Sequence, residues 1–593
     1  MLFPAVYNLG FQVGQAVYKF IYTTDVNATM TDILDYRNMY RSVNATLRYL
    51  VTIPSLYKNW WWNLVAKDPL HVAVETIMLI SIVYMMLSRS TEGYSDNSKD
   101  KLTRREQKDL LWEWKHKSRS PLAPTINESL QSTGENQIIV QKQEGKWLTI
   151  TVPNHWINNT NYNTTRSSDS GNNNISRIDS NKKNDRKRND TITFISTLSQ
   201  TRELRVLNFC NFDFLGFQTS DAIRQASTDA FNKYGCGSCG PRGFYGTVDA
   251  HLQLEEEISK FCRTDQAILY SDGASTCSSS VAAFAKRGDI LVVDEGVYEP
   301  LSTGVYLSRA NVHWFRHNDV KDLERVLKEL QATDKKLGRK PGTPRRFIVV
   351  EGLYKNIGTI APLDKICRLK HKYRYRLILD ESFSFGTLGK TGRGSLEEHN
   401  KRPMYDAEIT TIALENSLGS IGGVTVGNED VVDHQRLSGA GYCYSASAPP
   451  FTACAAVASL RLLKDQPELV QRLQSNIRYT YERLKTRDKN FTQKAKLVVT
   501  SDSRSPIIVM QLDRESIYET AIMSGIMREC LQRGVAVVAS TRQDTSTSSH
   551  MRMELAPCIR ITVSVLHTKD DTNKMIDTLV DSFVLVTGRY PLV

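Results

Sequence analysis

Phe347-Ile348-Val349-Val350 and Leu377-Ile378-Leu379 are short apolar runs, followed by Glu351-Gly352 and by Asp380-Glu381-Ser382. Unbroken apolar runs of this length read as strands buried on both faces, because a strand with one wet face would alternate apolar and polar residues. Ala267 to Tyr270 and Ile290 to Val293 have the same texture, and helical stretches such as Val320 to Leu330 lie between them. The alternation predicts an α/β fold, a mostly parallel sheet covered by helices. Ligands of such sheets sit beyond the strand ends, so the residues that follow these runs are the ones to read for chemistry.

Working outward, 593 residues are enough for about two to four domains. The formal charge is +12 and the isoelectric point about 9.0. The excess is partly local, in Lys182-Lys183-Asn184-Asp185-Arg186-Lys187-Arg188 and around Lys101 to Lys108. It reads as solvated basic runs, and no nucleic-acid partner is expected. The ten cysteines show no disulfide-framework spacing, which fits a reducing compartment. Cys236 and Cys239 form a C-x-x-C with neither a second pair nor a histidine at finger spacing, so no metal site is expected.

Leu70 to Leu87 is the first hydrophobic landmark, roughly 27 Å long as a helix. Trp60-Trp61-Trp62 precede it, and Arg89, Lys99, Lys101, Arg104, Arg105 and Lys108 follow it. The pattern predicts a transmembrane helix over 70–88 with the main body on the cytosolic side. A buried core helix is the alternative. Residues 1–69, with apolar and aromatic stretches at Phe11 to Tyr22 and Leu47 to Tyr57, read as a membrane-proximal segment, and 89–157 as a cytosolic linker and N-terminal arm. Asn158 to Asp190 is almost devoid of apolar residues, so 158–190 reads as a disordered Asn-rich insertion. Recruitment of a partner or of anionic lipid is its functional alternative.

Several blocks then carry a resemblance. They are Asn208-Phe209-Cys210-Asn211-Phe212-Asp213-Phe214-Leu215-Gly216, the glycine-rich stretch from Tyr234 to Glu255, Arg316-His317-Asn318-Asp319, Glu351-Gly352, Leu379-Asp380-Glu381-Ser382 and Cys558-Ile559-Arg560-Ile561-Thr562. In this order, from about 205 to 568, they resemble the α-oxoamine synthase family, which condenses an amino acid with an acyl-CoA on pyridoxal phosphate. The resemblance implies a fold-type I pyridoxal-phosphate-dependent transferase fold. It would have a large aminotransferase-like domain over 201–450 and a smaller C-terminal α+β domain over 451–593. Gly235, Gly237 and Gly240 also satisfy G-x-G-x-x-G, but Pro241 follows and no acidic residue is placed for a ribose, so a nicotinamide site is not expected.

Carried over residue by residue, the resemblance marks a degenerate site. The turn that ends in Gly422-Gly423 holds Asn416 where active members carry the Schiff-base lysine, and an amide cannot act as that nucleophile. Asp380 matches the aspartate that pairs with the pyridine nitrogen, either as a vestige or as a structural carboxylate capping the strand end or pairing with an arginine. Tyr298 falls where a histidine stacks on the cofactor ring, and Phe383 where another histidine bonds its phenolic oxygen. Lys355 and Lys390 are the alternative lysines. Arg560 resembles the arginine that holds a substrate carboxylate, or else it makes a structural or interface ion pair.

In this family the active site lies between two subunits. The resemblance therefore implies a non-catalytic but required subunit of a heterodimer. Its second, catalytic subunit would hold pyridoxal phosphate and condense L-serine with palmitoyl-CoA to 3-oxosphinganine, CoA and carbon dioxide. Cys239, Arg242, Tyr245 and Thr247 are candidates for a wall facing the partner's active site, with a packed thiol the alternative for Cys239. The resemblance also implies the endoplasmic reticulum membrane and leaves room for small regulatory membrane proteins. Two other readings stay open: a self-sufficient pyridoxal phosphate acyltransferase, and a membrane scaffold or regulator on a retired enzyme fold.

Overall fold

The computed structural model describes residues 138–153 and 201–590, apart from 239, 340–342, 488–495, 515 and 541–551, together with isolated positions 66 and 81. The expected membrane-proximal segment, transmembrane helix and Asn-rich insertion lie outside the described residues, as does Cys239. Among the described residues, no helix is long and apolar enough to cross a membrane.

Strands β1 (Ile139–Glu144), β2 (Trp147–Pro153) and β3 (Thr201–Asn208) come first, then helices α1 (Asp221–Tyr234) and α2 (Asp249–Cys262). The central strands are β4 (Gln266–Tyr270), β5 (Ile290–Asp294), β6 (Asn311–Phe315), β7 (Arg346–Glu351), β8 (Arg376–Asp380), β9 (Ile409–Ala413) and β10 (Gly423–Gly427). With them come α3 (Gly273–Phe284), α4 (Glu299–Ser308), α5 (Val320–Lys336), α6 (Leu363–Tyr373) and α7 (Glu429–Ser438). The C-terminal part holds α8 (Pro450–Asp465), α9 (Glu468–Arg487), β11 (Leu497–Val499), β12 (Ile507–Leu512) and α10 (Glu519–Gln532). It ends with β13 (Val535–Ala536), β14 (Val538–Ser540), β15 (Cys558–Thr562) and α11 (Lys569–Thr587).

Seven strands form the central sheet in the order β4-β10-β9-β8-β7-β5-β6, and only β10 runs antiparallel to its neighbours. All five residues of β5 are buried, as are five of the six in β7, because helices cover both faces and the run has no wet side. The parallel register brings Glu351 beside Asp380 at the ends of β7 and β8, and Asp294 ends the adjoining β5. Three carboxylates thus meet at one edge of the sheet, each exposed by 1% or less.

The expected domain limits shift. Within the expected linker and N-terminal arm, residues 147–153 belong to the folded body, because β2 pairs with β3 along seven consecutive residues. In turn β3 pairs with β13 from the C-terminal part, so the smaller body takes strands from both ends of the sequence. A second four-stranded sheet, β11-β12-β15-β14, completes it. Nor does that body begin at 451, since α8 packs its apolar face on α1 and α2 beside the central sheet. The expected limits fail where non-local pairing decides the boundary.

Candidate functional site

Asp380 sits at the end of β8, where a strand leaves the covered sheet and its last side chain can meet a ligand. Here its donors come from within the chain. Its Oδ2 accepts from Thr411 Oγ1 at 2.7 Å, Ser382 Oγ at 2.9 Å and Cys277 Sγ at 2.9 Å, with the Tyr298 hydroxyl at 3.5 Å. Its Oδ1 accepts from the Ser382 amide at 3.1 Å. One oxygen with two lone pairs has no capacity left after three close donors. Burial pushes the Asp380 carboxyl upward, and the hydroxyl and thiol donors work against that rise. Burial and the neighbouring Asp380 push up Cys277 and Tyr298, so both stay protonated as donors. Of the alternatives for Asp380, the strand-end carboxylate fits: hydroxyls and a thiol meet it, and no arginine pairs with it among the described residues.

Asn416 is buried, and its Nδ2 donates to the Ser382 carbonyl at 2.8 Å. The amide thus closes the turn onto the same serine that caps Asp380. Gly422, with φ of 130°, and Gly423 follow; a Cβ on Gly423 would strike Thr276 of α3, so the turn presses on that helix. Tyr298 precedes α4, and its backbone N–H donates to Glu351 at 2.6 Å. Its ring meets Phe383 edge-on at 6.0 Å, and Phe383 meets Phe212 at 5.0 Å. Tyr298 and Phe383 are both buried and fill the pocket as a packed aromatic row.

These residues do not fit a covalently held pyridoxal phosphate. Position 416 offers no amine, the Asp380 oxygen that would meet a ring nitrogen is saturated, and Tyr298 contributes to its closure. Lys390 is exposed beyond Leu388. Lys355 is half-buried, with Nζ 5.8 Å from the Tyr298 ring centre and 6.0 Å from that of Phe383. Arg560 on β15 makes no ion pair among the described residues of this chain; its guanidinium lies 4.6 Å from the Phe212 ring centre.

The glycine-rich stretch between α1 and α2 has the opposite character. Phe244 and Tyr245 are exposed, at 76% and 94% of their surfaces. Arg242 differs from its expected place on the wall: it points inward and is 6% exposed. It grips Glu255 of α2 through two bonds of 2.9 and 3.0 Å, while its Nε donates to Thr247 Oγ1 at 3.0 Å. The same Glu255 accepts from the Leu269 amide at 2.8 Å, so the ion pair ties the loop to β4. A charge buried there needs this bidentate partner, and that need draws Arg242 inside. Thr247 donates in turn to the Arg242 carbonyl at 2.6 Å and locks the turn. A Cβ on Gly246 would collide with the Gly240 carbonyl, so the loop closes only with glycine at that position.

Residues 205–579 match the family described as aminotransferase class I and II. The chain is 35% identical over 520 residues to serine palmitoyltransferase 1 of Dictyostelium discoideum, covering 86% of this chain and 94% of that one. The chain belongs to the serine palmitoyltransferase 1 family, within the class I and II aminotransferases. Long chain base biosynthesis protein 1b of Oryza sativa subsp. japonica is 41% identical over 377 residues, 63% of this chain and 75% of that one. Among solved structures, a variant serine palmitoyltransferase from S. paucimobilis with a bound PLP-myriocin aldimine superposes with a TM-score of 0.57. It is 24% identical and covers 65% of this chain and 90% of its own, a likeness of fold.

For this member of the serine palmitoyltransferase 1 family, sequence reading missed Cys277, Thr411 and the closing role of Ser382. No motif marks them, since each reaches Asp380 from a different element: α3, β9 and the turn after β8. A signal existed only for Ser382, which follows Asp380-Glu381 directly.

Proposed function

We propose that this chain is the subunit of serine palmitoyltransferase that carries no cofactor of its own and completes the active site of a catalytic partner. The enzyme condenses L-serine with palmitoyl-CoA to 3-oxosphinganine in sphingolipid long-chain base synthesis. The observation that carries the reading is the Asn416 amide, committed to the Ser382 carbonyl where a nucleophilic amine would have to stand. Pyridoxal phosphate, which supplies the electron sink for the carbanion, is then held by the partner subunit.

The partner meets this chain at the glycine-rich turn. Tyr245 and Phe244 are the side chains that reach out; Thr247 and Arg242 hold the backbone beneath them, and Cys239, outside the described residues, belongs to the same stretch of sequence. The complex sits at the endoplasmic reticulum membrane through the segment around Leu70, with its main body cytosolic and small membrane proteins as regulators.

The test is to co-express this chain with its partner, add pyridoxal phosphate, reduce with borohydride and map the labelled lysine by mass spectrometry, alongside serine-dependent condensation. Label on the partner alone, with activity only in the complex, is the expected result. Label on Lys355 or Lys390 of this chain, with turnover in the partner's absence, would overturn it. If Tyr245→Ala left turnover and assembly unchanged, the chain would be a scaffold with no share in the site.

A further inference from the structure

A cavity of about 260 Å³ lies on the face of the central sheet away from the Asp380 pocket. Alternation along β9 separates the two: Thr411 reaches Asp380, while Thr410 and Ile412 point to the opposite face. Val426 of β10 stands directly across from Thr410, and Cys262, at the end of α2, and Leu396 complete the apolar lining. Burial pushes the Cys262 thiol up to about 12, so it remains a neutral wall. An apolar cavity of about 150 Å³ takes benzene, so this one has room for a short alkyl chain with a polar head.

Most polar groups around it are already met. Glu381 accepts from Ser395 Oγ at 2.8 Å and from the Ser395 and Leu396 amides at 2.8 and 3.0 Å. Glu397 accepts from Thr391 Oγ1 at 2.7 Å and from the Thr391 and Arg393 amides at 3.0 and 3.1 Å. Arg393 Nε donates to the Phe261 carbonyl at 2.6 Å, which covers the end of α2, and Lys401 pairs with Asp364 at 2.6 Å. Thr410 and Arg263 are not met in this way. Thr410 lines the cavity at 6% exposure, and its hydroxyl has no hydrogen-bond partner among the described residues. Arg263 caps α2 with φ of 58° and is exposed where it lines the cavity; among the described residues no carboxylate lies at salt-bridge distance from it. The walls therefore favour an apolar body, the one uncommitted cation a single negative charge, and the buried hydroxyl a polar atom.

We propose that this cavity binds a short-chain monocarboxylate. Its alkyl body packs on Ile412, Val426, Cys262 and Leu396, its carboxylate meets Arg263, and a polar atom of its chain bonds Thr410. The site lies apart from the Asp380 pocket and does not rest on the subunit reading.

The test uses the intact complex and the diazirine-bearing carboxylate azipentanoate, with crosslinks mapped by peptide mass spectrometry after photolysis. Crosslinks are expected on the peptides that carry Cys262, Leu396 and Thr410, and sodium hexanoate should compete for them. From butyrate to hexanoate each added methylene should strengthen competition about threefold to fourfold. Acetate, which lacks the body, and hexanol, which lacks the charge, should compete about tenfold or more weakly. Arg263→Gln, a change on an exposed side chain, should weaken hexanoate about tenfold and leave hexanol unchanged. Competition by ω-hydroxyhexanoate should be about fivefold stronger than by hexanoate, and Thr410→Val should remove that advantage. Should Thr410→Val fail to assemble, Arg263→Gln decides alone. Crosslinks confined to the partner or to other peptides of this chain, or competition that Arg263→Gln leaves unchanged, would overturn the site. Condensation by the same preparation reports separately on the subunit reading.

Discussion

The Asp380 pocket and the glycine-rich turn are two regions of one chain with opposite economies. In the pocket both Asp380 oxygens and the Asn416 Nδ2 are met from within, by Cys277, Ser382, Thr411 and Tyr298. At the turn the backbone is locked from beneath by Arg242 and Glu255, while Tyr245 is left 94% in solvent. The first region has been closed to ligand chemistry at Asp380, and the second is tied from beneath with its aromatic side chains in solvent.

The largest effect belongs to the lock beneath the turn. Arg242→Ala leaves Glu255 buried without its cation and is expected to lower unfolding stability by about 3–5 kcal/mol. Replacing both partners, Arg242→Met with Glu255→Gln, should recover much of that loss. Denaturant unfolding of the complex at one fixed protein concentration checks both, and a single variant no worse than the double would show that the pair does not hold the turn.

Next comes the neutral interior that lies beneath the pocket. His567 stacks on Phe209 at 3.9 Å, donates from Nε2 to the Asn208 carbonyl at 2.8 Å and accepts at Nδ1 from the Ser564 amide. Burial pushes its pKa down to about 4 from the ordinary 6.5. Above pH 6.5 both states are neutral. Below it the unfolded chain takes up the proton first, so stability falls between pH 6.5 and 4, by about 3 kcal/mol from this group. Asp213 has the opposite sign: burial raises it to about 6, so its contribution falls as pH rises between 4 and 6. His567→Gln should flatten the acid loss and Asp213→Asn should steepen it, read from unfolding curves across that range. Equal slopes in all three proteins would break this account.

Tyr245→Ala sharpens the other half of the comparison. Since the side chain is in solvent, the unfolding stability of the chain should move by no more than about 0.5 kcal/mol. If the partner buries it as an anchor, the dissociation constant of the complex should rise about tenfold or more. Sedimentation or surface-binding measurements of the complex decide this. Unchanged affinity would remove Tyr245 from the interface.

Much of the sheet was legible because fully buried strands must be apolar throughout; the runs at 267–270, 290–293, 347–350 and 377–379 all lie within strands. The domain limits were not, because β2 and β3 join β13 across more than three hundred residues, and no local pattern encodes such a pairing. The site divides in the same way. Asn416 can be read from the sequence because it stands at a motif position, and so can the retained Asp380. The inward turn of Arg242 cannot, since it depends on Glu255 arriving from the next helix. Cys277 was invisible because a buried cysteine in a helix reads as packing until the fold sets its thiol on a carboxylate.

The smallest effect tests the closed pocket itself. Asn416→Ala removes one hydrogen bond to the Ser382 carbonyl and is expected to cost about 1 kcal/mol of stability, with condensation by the complex unchanged. Asn416→Lys is the sharper variant, because it restores the amine and nothing else. The Asp380 oxygen would still be filled by Cys277, Ser382 and Thr411, and Tyr298 would still cap it. Borohydride reduction with pyridoxal phosphate should therefore leave Lys introduced at position 416 unlabelled. Adding Cys277→Ala, Ser382→Ala, Thr411→Val and Tyr298→Phe would remove the side-chain donors that close the carboxylate, and labelling that emerged only in this combined variant would show that the pocket's closure, as well as the missing amine, bars the cofactor. Labelling in the single variant would mean that the amine alone was lost, and that the pocket is less closed than its hydrogen bonds imply.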